Sequence, residues 1–307
     1  MSERVPYDFS GKSNILLEDE EGLRVPMSEP YFRSWEIAPK TWRILSDGDF
    51  SYLLDGEDGD ALLIDSGYGA GSIRAYCEGL VGHPVTRIAN THDHFDHTAN
   101  NGYFDLAYMA EETIPLATRP FRSFEGIFFP NDYPKKAVGD GDIIPVKGRD
   151  LTVLKLPDHA PGSIVMLDKA FRLLFVGDEL GMPFGKPLRG TVENWLRLLE
   201  KLIPFRGDYD GVWGGNGYAV PDVVEGQAEN CRRILAGEEG VPDLPPMFNT
   251  WQQTDEAGHI IWKRRLPHPG DGGNRGGPDE SAFKRRLGEG MHAIYYDIHQ
   301  IRDGQES

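Results

Sequence analysis

Short apolar runs broken by Asp and Gly open the patterned part of the chain. Trp42-Arg43-Ile44-Leu45, Ser51-Tyr52-Leu53-Leu54 and Ala61-Leu62-Leu63-Ile64-Asp65 are separated by Asp47-Gly48-Asp49 and Gly56-Glu57-Asp58-Gly59, the punctuation of successive antiparallel strands. Ser66-Gly67-Tyr68-Gly69 then turns the chain into a helix expected from Ile73 to Leu80. Val85 to Ala89 lacks alternation, which predicts a strand buried on both faces. A turn or helix start at Asn100-Asn101-Gly102 follows, then a strand from Leu106 to Met109 and a helical turn from Glu111 to Ala117. Four more strands are expected from Asp142 to Val146, Leu151 to Leu156, Ser163 to Leu167 and Arg172 to Val176. A helix from Trp195 to Leu202, a last core strand from Gly211 to Trp213 and a closing helix from Val223 to Leu235 complete the pattern.

Both ends differ in texture. Residues 1–40 are polar and punctuated by Pro, with the acidic run Glu18-Asp19-Glu20-Glu21, and read as an N-terminal arm on the domain of residues 41–241. Residues 242–307 carry a Gly- and Pro-rich stretch from Pro267 to Pro278 that cannot form regular structure. Two apolar pieces survive there, His259 to Trp262 and Ala293 to Ile298. This C-terminal appendage is expected to dock on the core or on a second subunit.

Composition narrows the partners. A formal charge of -17, from 32 basic and 49 acidic side chains, repels phosphate backbones and argues against nucleic acid. No apolar run approaches the ~20 residues that span a bilayer, and Met1 to Tyr7 has no apolar core of a signal peptide. The expectation is a cytoplasmic protein without a membrane partner, acting on a small molecule, with a homodimer left open. Cys77 and Cys231 lie far apart and suit neither a zinc ribbon nor a disulfide framework.

The densest chemistry is Thr91-His92-Asp93-His94-Phe95-Asp96-His97, directly after an apolar run. Crowded imidazoles and carboxylates carry like-charge and desolvation costs that a bound cation removes. Neutral imidazole with carboxylate is also the ligand set of zinc and its neighbours. If the backbone stays extended, His92, His94 and Asp96 face one way and His97 the other, so one loop serves two adjacent metal sites.

His92-Asp93-His94-Phe95-Asp96-His97 resembles the H-x-H-x-D-H signature of the metallo-β-lactamase-fold hydrolases, the group of glyoxalase II and lactonases. Leu156-Pro157-Asp158-His159-Ala160-Pro161-Gly162-Ser163 is similar to the family's second ligand block, and Phe175-Val176-Gly177-Asp178 to the strand ending in its bridging aspartate. The resemblance implies an α+β fold, an αββα sandwich of two packed sheets with helices outside. It implies a first metal on His92, His94 and His159, a second on Asp96 and His97, and Asp178 bridging both, with Asp96 also the catalytic carboxylate. The implied cofactor is Zn2+, one or two ions, with Mn2+ or Fe2+ as further candidates. The implied chemistry is attack by a metal-bound hydroxide, since a metal lowers the pKa of water from about 15.7 to near 7.

The chain departs from the family in two places. Where the family ends in Gly-His-Gly, this sequence has Gly215-Asn216-Gly217, which puts Asn216 at the last ligand position of the second site. An amide oxygen is a weak, neutral, hard donor beside imidazole. Site two is therefore expected to bind metal less tightly, to prefer a harder ion or to stand empty, unless His259, His268, His292 or His299 takes over. Asp158 replaces the glycine before His159, and reads either as tolerated loop variation or as an acceptor that orients an imidazole.

Two stretches are candidates for the cleft wall. Phe121 to Tyr133 holds five aromatic rings and is either a buried helix stripe or an apolar lid. Met182 to Arg189 offers Lys186 and Arg189 to an anionic substrate group, unless both are merely solvated. The function expected is hydrolysis of an ester-like bond, in a lactone, thioester or related acyl compound. The alternatives are a mononuclear iron oxidoreductase resembling persulfide dioxygenases and a non-catalytic metal-binding relative.

Overall fold

The computed structural model describes residues 15–18, 24–26, 32–46, 49–67, 71–117, 131–244, 249–254, 260–265 and 283–304. Two sheets dominate, flanked by helices α1 (Ile73–Val81), α2 (Phe95–Thr98), α3 (Val192–Leu202) and α4 (Val223–Leu235). The first sheet runs in the order Arg33–Ala38, Thr41–Ser46, Asp49–Asp55, Ala61–Ile64, Arg87–Ala89, Leu106–Met109 and Lys135–Ala137. Its opening strands pair antiparallel, and from Ala61–Ile64 onward the pairing is parallel. Parallel neighbours need a crossover, and α1 makes the first one. Ser72 caps its N-terminus by accepting from Ala75 N, left-handed Gly82 ends it, and Ile73 and Cys77, one turn apart, face the sheet.

The second sheet runs Ile143–Ile144, Leu151–Lys155, Ile164–Asp168, Leu173–Gly177, Gly211–Gly214 and Gly217–Ala219. Leu173–Gly177 and Gly211–Gly214 are its parallel pair, with α3 in the connection between them. Tyr52, Ile64, Val153, Met166 and Phe175 meet between the sheets. On the outer faces α1 packs on Leu53, Leu63 and Ile88, and Trp195, Leu199, Val224 and Cys231 of α3 and α4 cover Leu154, Val165 and Leu174. This is the αββα sandwich expected from the resemblance. Both cysteines are buried free thiols.

Three features extend beyond the sequence pattern. Arg33–Ala38 pairs with Thr41–Ser46, so residue 40 lies in a hairpin turn and the end of the stretch read as an arm is an edge strand. Lys284–Leu287 and Ile294–Asp297 pair with each other and carry Leu287, Ile294 and Tyr296 into the core beneath α3 and α4. Ile294–Asp297 also pairs with Lys186–Pro187, just after Asp178. Finally, Ile15–Glu18 runs parallel to Ile260–Arg265, joining an early and a late stretch of the chain in a separate small sheet. Among the described residues no helix is long and apolar enough to cross a membrane.

Candidate metal centre

Four strand ends converge on the site. Ala61–Ile64 leads to Asp65, Arg87–Ala89 to the histidine loop, Leu173–Gly177 to Asp178, and Gly211–Gly214 to Gly215-Asn216. The histidine loop does not stay extended. From Phe95 it closes into α2, with His94 at the N-cap, so the alternation expected for an extended segment fails and His97 swings to the same cluster as His92. Their ring centroids are 4.2 Å apart. The turn is held by buried amides, because His97 O accepts from Ser66 N at 2.8 Å and from Asn90 Nδ2 at 2.8 Å. Asn90 is fixed in turn by Asn101, whose Nδ2 donates to Asn90 Oδ1 at 2.8 Å and to Tyr133 Oη at 3.0 Å.

The donors fall into overlapping groups. His92, His94 and His159 form one, His92, His97 and Asp178 a second, and Asp49, Asp96 and His97 a third, with ligand atoms in each group within 4.8 Å of one another. His94 Nδ1 and His159 Nε2 lie 2.9 Å apart. His97 Nε2 lies 3.5 Å from Asp178 Oδ1 and 3.7 Å from Asp96 Oδ2, and His159 Nε2 lies 3.7 Å from Asp178 Oδ2. The structure therefore brings His92, His94, Asp96, His97, His159 and Asp178 together. It adds Asp49, which the sequence reading missed because only folding places the start of a hairpin strand beside the histidine loop.

Hydrogen bonding decides which nitrogens face inward. Asp65 accepts from Thr91 N at 2.8 Å, Thr91 Oγ1 at 2.7 Å and His97 Nδ1 at 2.9 Å. The Thr91 hydroxyl spends its only proton on Asp65, so at 3.0 Å it accepts from His92 Nδ1. Nε2 of both His92 and His97 is left facing the cluster, the arrangement by which outer partners aim metal ligands. Those two Nε2 atoms, Asp96 Oδ1 and Asp178 Oδ1 are buried without a hydrogen-bond partner. Buried polar atoms are normally paired, and a divalent cation would satisfy all four, so the donor set fits the implied metal. Asp65 was missed as well. Its cue is faint: an acidic residue closing an apolar strand, in a left-handed backbone with φ 57° that Asp tolerates better than most residues.

Charge in the cluster is strongly displaced. Burial, aided by His97, drives the His92 pKa far down, and burial brings His159 down to about 3 despite Asp178. For His97 burial works against the charge, but Asp178, Asp65 and Asp96 outweigh it and raise the pKa well above the usual histidine value. Burial pushes Asp96 up to about 8, with the nearby Asp49 and Asp178 adding to the rise. Burial also opposes the Asp178 charge, yet His97, His159 and His92 hold its pKa well below the carboxylate range.

The loop carrying His159 is clamped from below. Glu179 Oε1 accepts from the backbone N–H groups of Asp158, His159 and Ala160 at 3.1, 2.7 and 3.4 Å. Its other oxygen takes Lys186 Nζ at 2.7 Å, and Lys186 reaches Asp158 Oδ2 at 3.2 Å. Asp158 in turn accepts from Arg189 N and Gly190 N. Asp158 is thus neither surface variation nor an imidazole acceptor; it ties the His159 loop to the segment after Asp178. Lys186, proposed above for an anionic substrate, is 1% exposed and committed to this network, which corrects that expectation. Arg189 is exposed.

The remaining candidates separate. Asn216 follows Gly215, where an added Cβ would overlap Asp178 Oδ1 and crowd His97, so the turn lies against the cluster. Asn216 Nδ2 is 3.8 Å from Met182 Sδ. His292 pairs with Asp222 at 3.2 Å, and the His299 ring lies tilted against Phe283 at 4.8 Å; neither joins a donor group among the described residues. His259, His268 and residues 121–130 of the aromatic stretch lie outside the described residues. A different wall flanks the Gly215-Asn216 turn. Arg43 lies over the rings of Trp35, Phe50 and Trp213 at 4.9, 5.2 and 5.9 Å. Its Nε is buried without a hydrogen-bond partner.

Comparison with known proteins agrees with this fold. The family model described as Metallo-beta-lactamase superfamily matches residues 47–210. The acyl-coenzyme A thioesterase MBLAC2 of Gallus gallus is 26% identical over 174 residues, covering 47% of this chain and 60% of its own length. The Homo sapiens protein of the same name is 29% identical over 201 residues, covering 50% and 71%. The hydroxyacylglutathione hydrolase of Erwinia tasmaniensis is 29% identical over 161 residues, covering 50% and 56%. A solved metallo-beta-lactamase from Pontibacter korlensis superposes with a TM-score of 0.51 at 16% identity, covering 66% of this chain and 99% of that one, a likeness of fold.

Proposed function

The chain belongs to the metallo-beta-lactamase superfamily, matched over residues 47–210, and from that membership we propose that it is a metal-dependent hydrolase of thioesters, zinc being the ion expected first. The observation that carries the reading is the overlap of the donor groups on buried His92 and His97. Bound there, a metal supplies Lewis-acid polarisation and an activated water at neutral pH. The protein's part is positioning. Asp65 and Thr91 fix the two imidazole tautomers, Glu179 holds the His159 loop, and Gly215 leaves room against Asp178 for close approach. Donor groups beyond the histidine-rich one favour hydrolysis over the single-iron oxidoreductase, which needs that group alone.

The thioester class draws on the printed names of the relatives, which share a thiol leaving group and differ in the thiol. Both thiols named there are anionic, and Arg43, on its aromatic wall beside the Gly215-Asn216 turn, is the cation suited to hold such a group. The test is an assay of metal-stripped protein restored with Zn2+, Mn2+ or Fe2+, on thioesters of coenzyme A and glutathione, a lactone and a β-lactam, with oxygen uptake followed on a persulfide. Metal-restored thioester hydrolysis is expected. Oxygen uptake with iron and no hydrolysis would sink the reading. Arg43→Gln should raise KM for the preferred charged thioester about tenfold, the loss of one charge-assisted contact; an unchanged KM would remove Arg43 from the site.

A further inference from the structure

The third donor group contains a carboxylate outside every family-like block. Asp49 opens the strand Asp49–Asp55 and is 4% exposed, and one of its oxygens lies within 4.8 Å of donor atoms on Asp96 and His97. Its neighbour fixes it there. Phe50 N donates to Gly215 O at 2.9 Å, which ties the start of this strand to the turn bearing Asn216. The group is not merely acidic, because His97 Nε2 and Asp96 Oδ1 are buried with no hydrogen-bond partner. Both belong to the set the fold converges on.

We propose that Asp49 is a protein ligand of the second metal site, filling the role that an imidazole at position 216 would otherwise have. The two sites then differ in kind. The first offers three imidazoles, His92, His94 and His159, with Asp178. The second offers three carboxylates, Asp49, Asp96 and Asp178, with His97 as its one nitrogen donor. Carboxylate oxygen suits harder ions and imidazole suits zinc, so the second site is the one that tolerates Mn2+. Burying these carboxylates together without a cation is costly. The second ion is therefore held firmly, the reverse of what Asn216 suggests on its own.

This inference rests on the metal dependence proposed above and not on the substrate, so its test reads metal rather than activity. Full-length protein stripped of metal is titrated with Zn2+ by calorimetry and with Mn2+ by electron paramagnetic resonance, as wild type, Asp49→Asn and Asn216→Ala. The wild type is expected to bind two ions. Asp49→Asn should weaken the second by at least about tenfold, the smaller loss seen when even an outer partner of a ligand is removed, with the first within about twofold. Asn216→Ala should keep both. One ion or none in the wild type, unchanged affinity in Asp49→Asn, or loss of the second ion in Asn216→Ala would each overturn the proposal. Should Asp49→Asn fail to fold, Asn216→Ala decides by the same criterion. Two bound ions lost with Asp49, but no thioester hydrolysed, would leave this inference standing and remove the functional reading.

Discussion

At the scale of single residues, the site is governed by where protons sit before metal arrives. His97, raised above the usual histidine value by three carboxylates against its own burial, is charged at neutral pH, and Asp96, pushed to about 8, is mostly protonated. A metal must displace those protons, so its affinity rises with pH through about 8 and falls below it. Calorimetric zinc titrations at pH 7 in two buffers of different ionisation enthalpy should register release of about one or two protons per chain; zero release would show that the apo cluster is already deprotonated. Asp65→Asn puts an amide where His97 Nδ1 and Thr91 now donate, and should weaken metal binding by about 10- to 100-fold in chelator competition.

At the scale of elements, short connecting pieces hold the ligands. Gly177, with φ 52°, sits where a Cβ would overlap Thr91, so the strand bearing Asp178 can approach the histidine loop only with glycine there. The Glu179–Lys186–Asp158 network does similar work for His159. Lys186→Met leaves two buried carboxylates without their cation, and its expected cost is about 3–5 kcal/mol, the usual penalty for breaking a buried ion pair. Urea unfolding measures it. A midpoint equal to that of wild type would mean that the network repacks without the lysine.

At the scale of the whole molecule, the C-terminal segment is part of the catalytic unit's support. Val192 N and Glu193 N, unpaired within α3 because they open it, donate to Gln300 O and Ile301 O at 3.1 and 2.9 Å. Lys186 N and Leu188 N donate to Ala293 O and Tyr295 O at 2.9 and 3.0 Å. A chain ending at Val241 loses these partners together with Leu287, Ile294 and Tyr296, buried side chains worth about 1.5–3 kcal/mol each. It should unfold at a lower temperature than the full chain, followed by circular dichroism; equal melting temperatures would make the segment a passenger.

The sequence by itself determined the elements whose cause is local. Alternating and continuous apolar runs marked the central strands, α4 was legible from Val223 to Leu235, and the histidine block named most of the donors. Edge strands such as Lys135–Ala137 and Gly217–Ala219 escaped, because a strand with one open side needs no apolar pattern. Tertiary structure alone decided the rest. Asp49 and Asp65 lie 47 and 31 residues before Asp96; nothing local marks Asp49 as different from a surface acid, and only its place after an apolar strand marks Asp65. Lys186 read as a free cation because charge is visible in a sequence and burial is not. Their roles come from long-range pairing: strand ends from both sheets meet in one place, and only there do a buried carboxylate, a turn and an imidazole become neighbours.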